Sequence, residues 1–220
     1  MSGTIVKLCG NKSKEDLTHS AQSSATHLGF IFVPGTKRYV DATSLKKWIR
    51  EIQPNQKIVG VFVEPPLNFI DYVLQHVPLD VIQLHGNETV PYILNVKETF
   101  QLPVWKAIHH GKEGLSYMRL FSGVVDGYVV DSKVKGAYGG TGVIFDWEAI
   151  PDYKKEAEQQ GVSCLMAGGI HPANVRDILA YQPEGIDLSS GIETDGLKDP
   201  VKIEALMREV EQYDTSISRC

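Results

Sequence analysis

Short apolar runs recur along the whole chain and alternate with longer segments of mixed polarity. Eight such runs begin roughly 22 to 35 residues apart, an interval that leaves room for one strand and one covering helix. Strands that are buried on both faces of a parallel sheet are near-continuous apolar runs of this kind. The pattern therefore predicts strands over 5–9, 28–33, 58–63, 81–84, 104–108, 127–131, 163–167 and 185–189.

The segments between these runs have helical features. Ser13 is a candidate N-cap, and the last segment carries Ile203, Leu206 and Val210 at helical spacing. Pro172 occupies a position typical of the first residue of a helix. The predicted helices run over 13–25, from 41 or 43 to 52, over 69–77 after Pro66, over 88–100 and 112–121, from Pro172 to 179, and over 200–213.

Repeated strand-then-helix units predict an α/β fold with a parallel sheet covered by helices. Eight strands are the number that closes into a (β/α)₈ TIM barrel, so we expect a single-domain barrel over residues 1–220. No linker or shift in composition suggests a second domain. A doubly wound open sheet is the alternative.

Composition narrows the class of protein. The formal net charge is -5 and no Lys/Arg block is present, which argues against nucleic acid as a partner. No run approaches the roughly 20 apolar residues of a membrane helix, and residues 1–10 do not resemble a signal peptide. The three cysteines are widely spaced and form no metal-binding pair or disulfide framework. We therefore expect a cytoplasmic protein without a membrane partner, and a monomer.

Active sites of these barrels lie at the carboxyl ends of the strands. Glycines follow the seventh strand at Gly168 and Gly169, and Ser190-Gly191 follows the eighth. Backbone N–H groups at such loops predict a phosphate site, although glycines also serve simply in tight turns. The segment 135–142 contains four glycines. It is either a loop that closes over a ligand or an ordinary surface connection, and Gly140 and Thr141 are its pocket candidates.

Two strand ends carry candidate acid–base groups. Cys9 ends the first predicted strand and Asp131 ends the sixth. A carboxyl group must be kept protonated, and a thiol must be made more acidic, before the two can exchange protons near neutral pH. A buried apolar role for Cys9 and a turn or capping role for Asp131 remain the structural alternatives.

Strand parity places further side chains in the barrel. Lys7 shares a face with Cys9, and Asp187 shares one with Ser189. The first and eighth strands are neighbours in a closed barrel, so we predict that Lys7 and Asp187 lie close and offset each other's charge. His85 is a pocket candidate with either a catalytic or a scaffold role. The two histidines at 109–110 are expected at the rim of the barrel.

Short motifs follow one another in order along nearly the whole chain. They are VKLCG (6–10), LGFIF (28–32), TKRYV (36–40), VGVFV (59–63), VIQLHG (81–86), VDGYVVDS (125–132), GGTG (139–142), FDW (145–147), MAGG (166–169), HPANV (171–175), IDLSSGIE (186–193) and GLKD (196–199). This ordered set resembles the motifs of the phosphoribosylanthranilate isomerase family of tryptophan biosynthesis. Thr36 replaces the serine that is common in the family, without removing a group that the reaction needs.

The resemblance implies the Amadori rearrangement of N-(5-phosphoribosyl)anthranilate, a small phosphorylated substrate. It makes Cys9 the general base and Asp131 the general acid, and it implies that Arg38 binds the anthranilate carboxylate. It implies that 168–169 and 190–191 bind the substrate phosphate. We include Asp187 and Ser189 among the substrate-binding residues. It implies no metal and no organic cofactor, since each step is a proton transfer.

Two other functions use the same fold. A metal-dependent sugar-phosphate epimerase would need His and Asp ligands at several strand ends, a set that Cys9, Arg38 and Asp131 do not form. A phosphate-binding barrel without catalytic activity is the second alternative, because a fold does not by itself define a function.

Overall fold

Eight parallel strands form a closed barrel in the computed structural model, which describes residues 3–131 and 146–218. Each strand is hydrogen-bonded to the next, and β8 pairs with β1, which closes the sheet. The strands are β1 (Ile5–Leu8), β2 (His27–Ile31), β3 (Lys57–Phe62), β4 (Val81–Leu84), β5 (Val104–His109), β6 (Gly127–Asp131), β7 (Ser163–Ala167) and β8 (Gly185–Leu188). The predicted TIM barrel is confirmed, and the open-sheet alternative is wrong.

Helices follow the strands and cover the outside of the barrel. They are α1 (Lys14–Ala21), α2 (Ala42–Ile52), α3 (Leu67–Leu74), α4 (Val90–Phe100), α5 (Gly114–Arg119), α6 (Ile150–Gln160), α7 (Val175–Leu179) and α8 (Pro200–Ile217). Ser13 and Asp41 cap α1 and α2, since their side chains accept the backbone N–H groups of Asp16 and Ser44 at 3.0 and 2.9 Å. The predicted cap at Ser13 is confirmed, and of the two starts predicted for the second helix, at 41 or 43, the structure has Asp41.

The predicted helix start at Pro172 is wrong. Asn174 folds back on the loop instead, because its side chain accepts the His171 N–H at 2.8 Å and donates to the Gly169 carbonyl at 2.9 Å. This local side-chain bonding competes with helical bonding and delays the start of α7 to Val175. Helix α6 was not predicted, and α8 extends four residues beyond its predicted end.

Two separate apolar layers hold the fold together. The larger layer lies between the strands and the helices. The smaller one comprises inward-facing side chains of strands β3 to β7 that fill the barrel interior: Val59, Val81, Trp105, Val129, Leu165 and Ala167, with Ile5 packed against them. Towards the carboxyl ends of the strands, the same alternation brings polar side chains inward, which places the site above a packed floor.

Within the described ranges, no helix has the length and apolar character needed to cross a membrane. A short antiparallel hairpin, β9 (Glu193–Thr194) with β10 (Leu197–Lys198), follows β8 and was not predicted. The predicted glycine-rich loop over 135–142, with its candidates Gly140 and Thr141, lies outside the described residues.

Candidate active site

A cavity of about 530 Å³ opens at the carboxyl ends of the strands. The structure brings together almost every candidate that the sequence provided, although these come from six strand ends. The lining includes Cys9, Arg38, His85, Asp131, Gly168, Gly169, Asp187, Ser189, Ser190 and Gly191. Thr36, Lys37, Gln83 and several apolar side chains complete much of the wall. A cavity of this volume suits a small organic ligand.

Cys9 is held in place by the backbone of its neighbours. Its N–H donates to the Leu188 carbonyl at 2.7 Å. A Cβ atom placed on Gly29 of the adjacent strand would lie only 2.7 Å from Cys9 Sγ, so the glycine leaves the space that the sulfur occupies. Burial raises the pKa of the Cys9 thiol, and the Lys7 ammonium opposes this effect without cancelling it. The lowered thiol pKa expected of a general base is therefore not produced by the burial of Cys9 and its contact with Lys7.

Lys7 and Asp187 form a buried ion pair beneath the cavity. The two residues are partners in the β1–β8 register, and Lys7 Nζ lies 2.9 Å from Asp187 Oδ1. The predicted pair is confirmed. Burial alone would lower the pKa of Lys7, but Asp187 and Cys9 outweigh it and raise that pKa. Burial also raises the pKa of Asp187, against the attraction of Lys7, so each charge depends on the other.

Arg38 lines the cavity but is already held by a carboxylate. Its Nε and Nη2 donate to Glu193 Oε1 and Oε2 at 2.8 and 2.7 Å, which is the bidentate geometry of a strong ion pair. Lys198 Nζ donates to Glu193 Oε1 at 2.9 Å and to the Ser189 carbonyl at 3.0 Å. A Cβ atom on Gly10 would lie 2.5 Å from Arg38 Cδ, so this glycine makes room for the arginine. Sequence reasoning missed Glu193 and Lys198 as the groups that fix Arg38.

These contacts determine the charges of the trio. Hydrogen bonding to Glu193 raises the pKa of Arg38. Burial would raise the pKa of Glu193, but the hydrogen bonds from Arg38 and Lys198 outweigh it and lower that pKa. Glu193 is therefore a carboxylate at neutral pH. Burial lowers the pKa of Lys198, and the contact with Glu193 opposes this effect.

Two loops rich in glycine meet at the other side of the cavity. Gly168 and Gly169 have φ angles of 95° and 68°, in the left-handed region that favours glycine. A Cβ atom on Gly191 would lie 1.8 Å from the Ile170 carbonyl oxygen, so any larger residue would push the two loops apart. The buried Ser189 hydroxyl makes no hydrogen bond within the described part of the chain. Loops of this form present backbone N–H groups to an anion.

Asp131 and His85 face each other across the barrel mouth. His85 Nε2 lies 3.7 Å from Asp131 Oδ2, and the two side chains are 13% and 9% exposed. Gln83 Nε2 lies 3.4 Å from His85 Nδ1. Burial lowers the pKa of His85 to about 3, with smaller contributions from His109, Lys106 and Lys7, so the imidazole is neutral at physiological pH. The sequence had left the role of His85 open, and the structure places it on the cavity wall.

The other histidines lie away from the cavity lining. His109 contacts the His85 ring, with centroids 5.6 Å apart, and His110 packs edge-on against Tyr153 of α6. Across residues 3–131 and 146–218, no group of three or more His, Cys, Asp and Glu side chains is arranged to hold a metal ion.

A second buried cation braces the loops on one side of the cavity. Lys106 Nζ donates to the Gly86 carbonyl at 2.7 Å and lies 3.1 Å from Glu88 Oε2. Glu88 in turn accepts the backbone N–H groups of Gly86 and Glu64 at 3.0 and 2.9 Å. The cluster ties the loops after β3 and β4 together.

A closed barrel of eight strands, with a cavity at their carboxyl ends that is lined by polar and apolar side chains, is the architecture of (β/α)₈-barrel enzymes. A family model described as N-(5'phosphoribosyl)anthranilate (PRA) isomerase matches residues 6–209. The chain belongs to the N-(5'-phosphoribosyl)anthranilate isomerase family, which acts in tryptophan biosynthesis. The resemblance drawn from the motifs is thus confirmed.

Individual relatives agree with this assignment. The N-(5'-phosphoribosyl)anthranilate isomerase of Geobacillus thermodenitrificans is 50% identical over 214 residues, covering 97% of this chain and 96% of the relative. The Thermotoga maritima phosphoribosyl anthranilate isomerase crystal structure has a TM-score of 0.83 at 28% identity, covering 95% of this chain and 99% of that one. A complex of such an isomerase with reduced 1-(o-carboxyphenylamino)-1-deoxyribulose 5-phosphate has a TM-score of 0.80, at the same identity and coverage.

Proposed function

We propose that the chain converts N-(5-phosphoribosyl)anthranilate to 1-(2-carboxyphenylamino)-1-deoxyribulose 5-phosphate, with Asp131 as general acid and Cys9 as general base. The observation that carries the proposal is that both side chains line one cavity, from strand ends that are five strands apart in sequence. The relative that holds a reduced form of this product shares the fold of this chain.

The reaction needs two proton transfers in order. Asp131 gives its proton to the ribose ring oxygen, the bond from that oxygen to C1 breaks, and a C1–nitrogen iminium forms. Cys9 as a thiolate then takes the C2 proton, the C2–H electron pair forms the C1–C2 double bond, and the C1–nitrogen π electrons return to the nitrogen, which gives a neutral enol. The enol tautomerises to the ketone, so the overall reaction is an isomerisation without net gain or loss of protons.

The order of steps helps to activate Cys9. Burial raises the pKa of its thiol, while Lys7 is a permanent cation below it. The iminium formed in the first step brings a second positive charge near the thiol, which favours the thiolate when it is needed. Lys7 and the intermediate thus act together, and Asp187 keeps the Lys7 ammonium in a fixed position.

Arg38 is the proposed anchor for the anthranilate carboxylate. Its guanidinium is fixed through Nε and Nη2 by Glu193, so little side-chain entropy remains to be lost on binding. The loops with 168–169 and 190–191 supply backbone N–H groups to the phosphate. Local attraction of this kind is needed because the chain as a whole carries a net charge of -5.

The remaining expectations from the sequence also stay proposals. The reaction needs no metal or organic cofactor, and a chelator should leave turnover unchanged, which separates it from a metal-dependent epimerase.

We propose a monomer in the cytoplasm. The most exposed large apolar residues are scattered over different elements, as in Leu94 of α4, Leu120 after α5 and Val201 of α8, which fits a monomer.

Turnover of synthetic phosphoribosylanthranilate, followed by fluorescence, tests the assignment. Cys9→Ser and Asp131→Asn should each lower kcat by roughly 10² or more, the scale of acid–base groups. Cys164→Ala is the matched control, because this second buried cysteine lies on β7 and is not among the residues that line the cavity. Near-normal turnover in either active-site variant, with the control also active, would refute the roles.

Arg38→Ala tests the binding role separately. We expect a raised KM with a smaller effect on kcat, because the guanidinium holds a group that does not react. A fall in kcat alone would show that Arg38 is not a simple binding residue.

A further inference from the structure

We propose that His85 is a positioning residue for the general acid: its Nε2–H donates to one oxygen of Asp131 and so leaves the other oxygen to carry the transferred proton. This rests on the proposed role of Asp131. The motif VIQLHG (81–86) contains His85 but assigns it no role, and the reaction as written above does not require a histidine at this place.

A contact with Gln83 of β4 favours one tautomer of His85. His85 directly follows β4, lies two residues after Gln83 and faces the same side. The Gln83 side-chain amide donates to His85 Nδ1 at 3.4 Å. A neutral imidazole that accepts at Nδ1 carries its proton on Nε2. That nitrogen makes no hydrogen bond within the described residues and lies 3.7 Å from Asp131 Oδ2.

Burial and nearby charges keep His85 neutral. Burial is the main reason that its pKa is lowered, and His109 and Lys106 from β5 and Lys7 from β1 further disfavour an imidazolium. Asp131 of β6 is the carboxyl group on its other side. His85 is therefore a hydrogen-bond donor to the acid and does not itself release a proton during turnover.

This donor suits both states of a general acid. In the protonated acid, Oδ2 is the carbonyl oxygen and accepts from His85, so the proton lies on Oδ1. When Asp131 gives up that proton, the same N–H meets a carboxylate and the hydrogen bond becomes charge-assisted. A bond that strengthens as charge develops lowers the barrier more than it stabilises bound substrate. The 3.7 Å separation then shortens in the reacting complex.

Two amide substitutions separate this role from simple packing. Asn in place of His85 keeps a polar group near Gln83 but cannot reach Asp131, whereas Gln extends an N–H donor towards the Nε2 position. His85→Asn should lower kcat about 10- to 100-fold, the worth of one charge-assisted hydrogen bond, while KM stays within about twofold. His85→Gln should recover much of the loss, and His110→Asn, on the Tyr153 side, should behave as the parent.

Several outcomes would overturn the proposal. These are a normal kcat in folded His85→Asn, a change confined to KM, or a kcat of His85→Gln no higher than that of His85→Asn.

Nitrogen-15 NMR of the histidine side chains gives an independent readout. At neutral pH we expect a neutral His85 with its proton on Nε2, and we expect the Nε2 chemical shift to change in Asp131→Asn. A proton on Nδ1, or an imidazolium, would also refute it.

The same set of variants distinguishes the two proposals. If Asp131→Asn turns over normally, the proposed function fails whatever the state of His85. If Asp131→Asn is inactive while His85→Asn is fully active, the positioning role fails and the proposed function stands.

Discussion

Gly29→Ala is a small perturbation aimed at the thiol of Cys9. The added methyl carbon would lie 2.7 Å from Cys9 Sγ, 3.0 Å from its Cα and 3.1 Å from its Cβ. Ordinary contacts between nonbonded heavy atoms are about 3.5 to 4.0 Å, so the shortfall at the sulfur is about 1 Å. The backbone gives little relief, because the Cys9 N–H is bonded to Leu188 and the Gly10 N–H to Gly29 itself.

The expected effect is larger on activity than on stability. Overpacking of this size costs roughly 1 to 3 kcal/mol of unfolding free energy. A displacement of about 1 Å at a reacting group costs about 10²-fold in rate. We therefore expect kcat for phosphoribosylanthranilate to fall by about that factor, with a moderate loss of stability in urea.

Gly60→Ala on β3 is the matched control. Its added carbon would meet Leu79 Cδ1 at 2.6 Å and Phe62 Cε2 at 2.9 Å, both ends of side chains outside the cavity lining. It should lose stability and keep its turnover. If Gly29→Ala keeps a kcat within about threefold of the parent, or if Gly60→Ala loses as much activity, then the position of Sγ does not limit the reaction as argued.

Three further predictions follow from buried groups and close contacts. Lys7→Met leaves Asp187 without its ion-pair partner and should lower the unfolding free energy in urea by about 3 to 5 kcal/mol. Adding Asp187→Asn to Lys7→Met should recover part of that loss. Equal stability of the single and double variants would contradict the role of the ion pair. Gly191→Ala should separate the two glycine loops at the Ile170 carbonyl and raise the inhibition constant of inorganic phosphate at least tenfold; unchanged inhibition would place phosphate elsewhere. Burial lowers the pKa of His27 to about 4, so between pH 6.5 and 4 mainly the unfolded chain binds this proton, and stability falls as the pH is lowered. His27→Gln should reduce the loss of unfolding free energy between pH 7 and 5 by roughly 1 kcal/mol after partial solvent screening. An identical loss in the variant and the parent would refute the lowered pKa of His27.

The strands could be predicted because burial on both faces leaves an uninterrupted apolar run. The helices were harder, and α6 shows why. Its sequence is largely polar, and its buried positions include Glu156 as well as Ile150, Tyr153 and Ala157. Glu156 is accommodated by hydrogen bonds from Arg119 and Gln160, contacts that exist only in the folded chain. A pattern of apolar positions therefore could not reveal this helix.

The candidate site was predictable where strand parity applies. Lys7 and Asp187 were expected together because alternate residues share a face and the first and last strands of a barrel are neighbours. Gln83 could have been found by the same rule, two residues before His85. Glu193 and Lys198 could not, because they belong to a hairpin with strands of two residues, and Glu193 contacts Arg38 across 155 residues of sequence.

The Glu193 carboxylate that holds Arg38 also competes with any anion that approaches the guanidinium. Chloride offers a single contact, whereas Glu193 already satisfies two N–H donors of the guanidinium. A monatomic anion is therefore at a disadvantage. On the proposed roles of Arg38 and the glycine loops, a ligand binds well only if one of its anionic groups contacts the remaining N–H groups of Arg38 and another contacts the loops across the cavity. The proposed site would then select molecules with two separated negative groups, and the width of the barrel mouth would determine the distance between those groups.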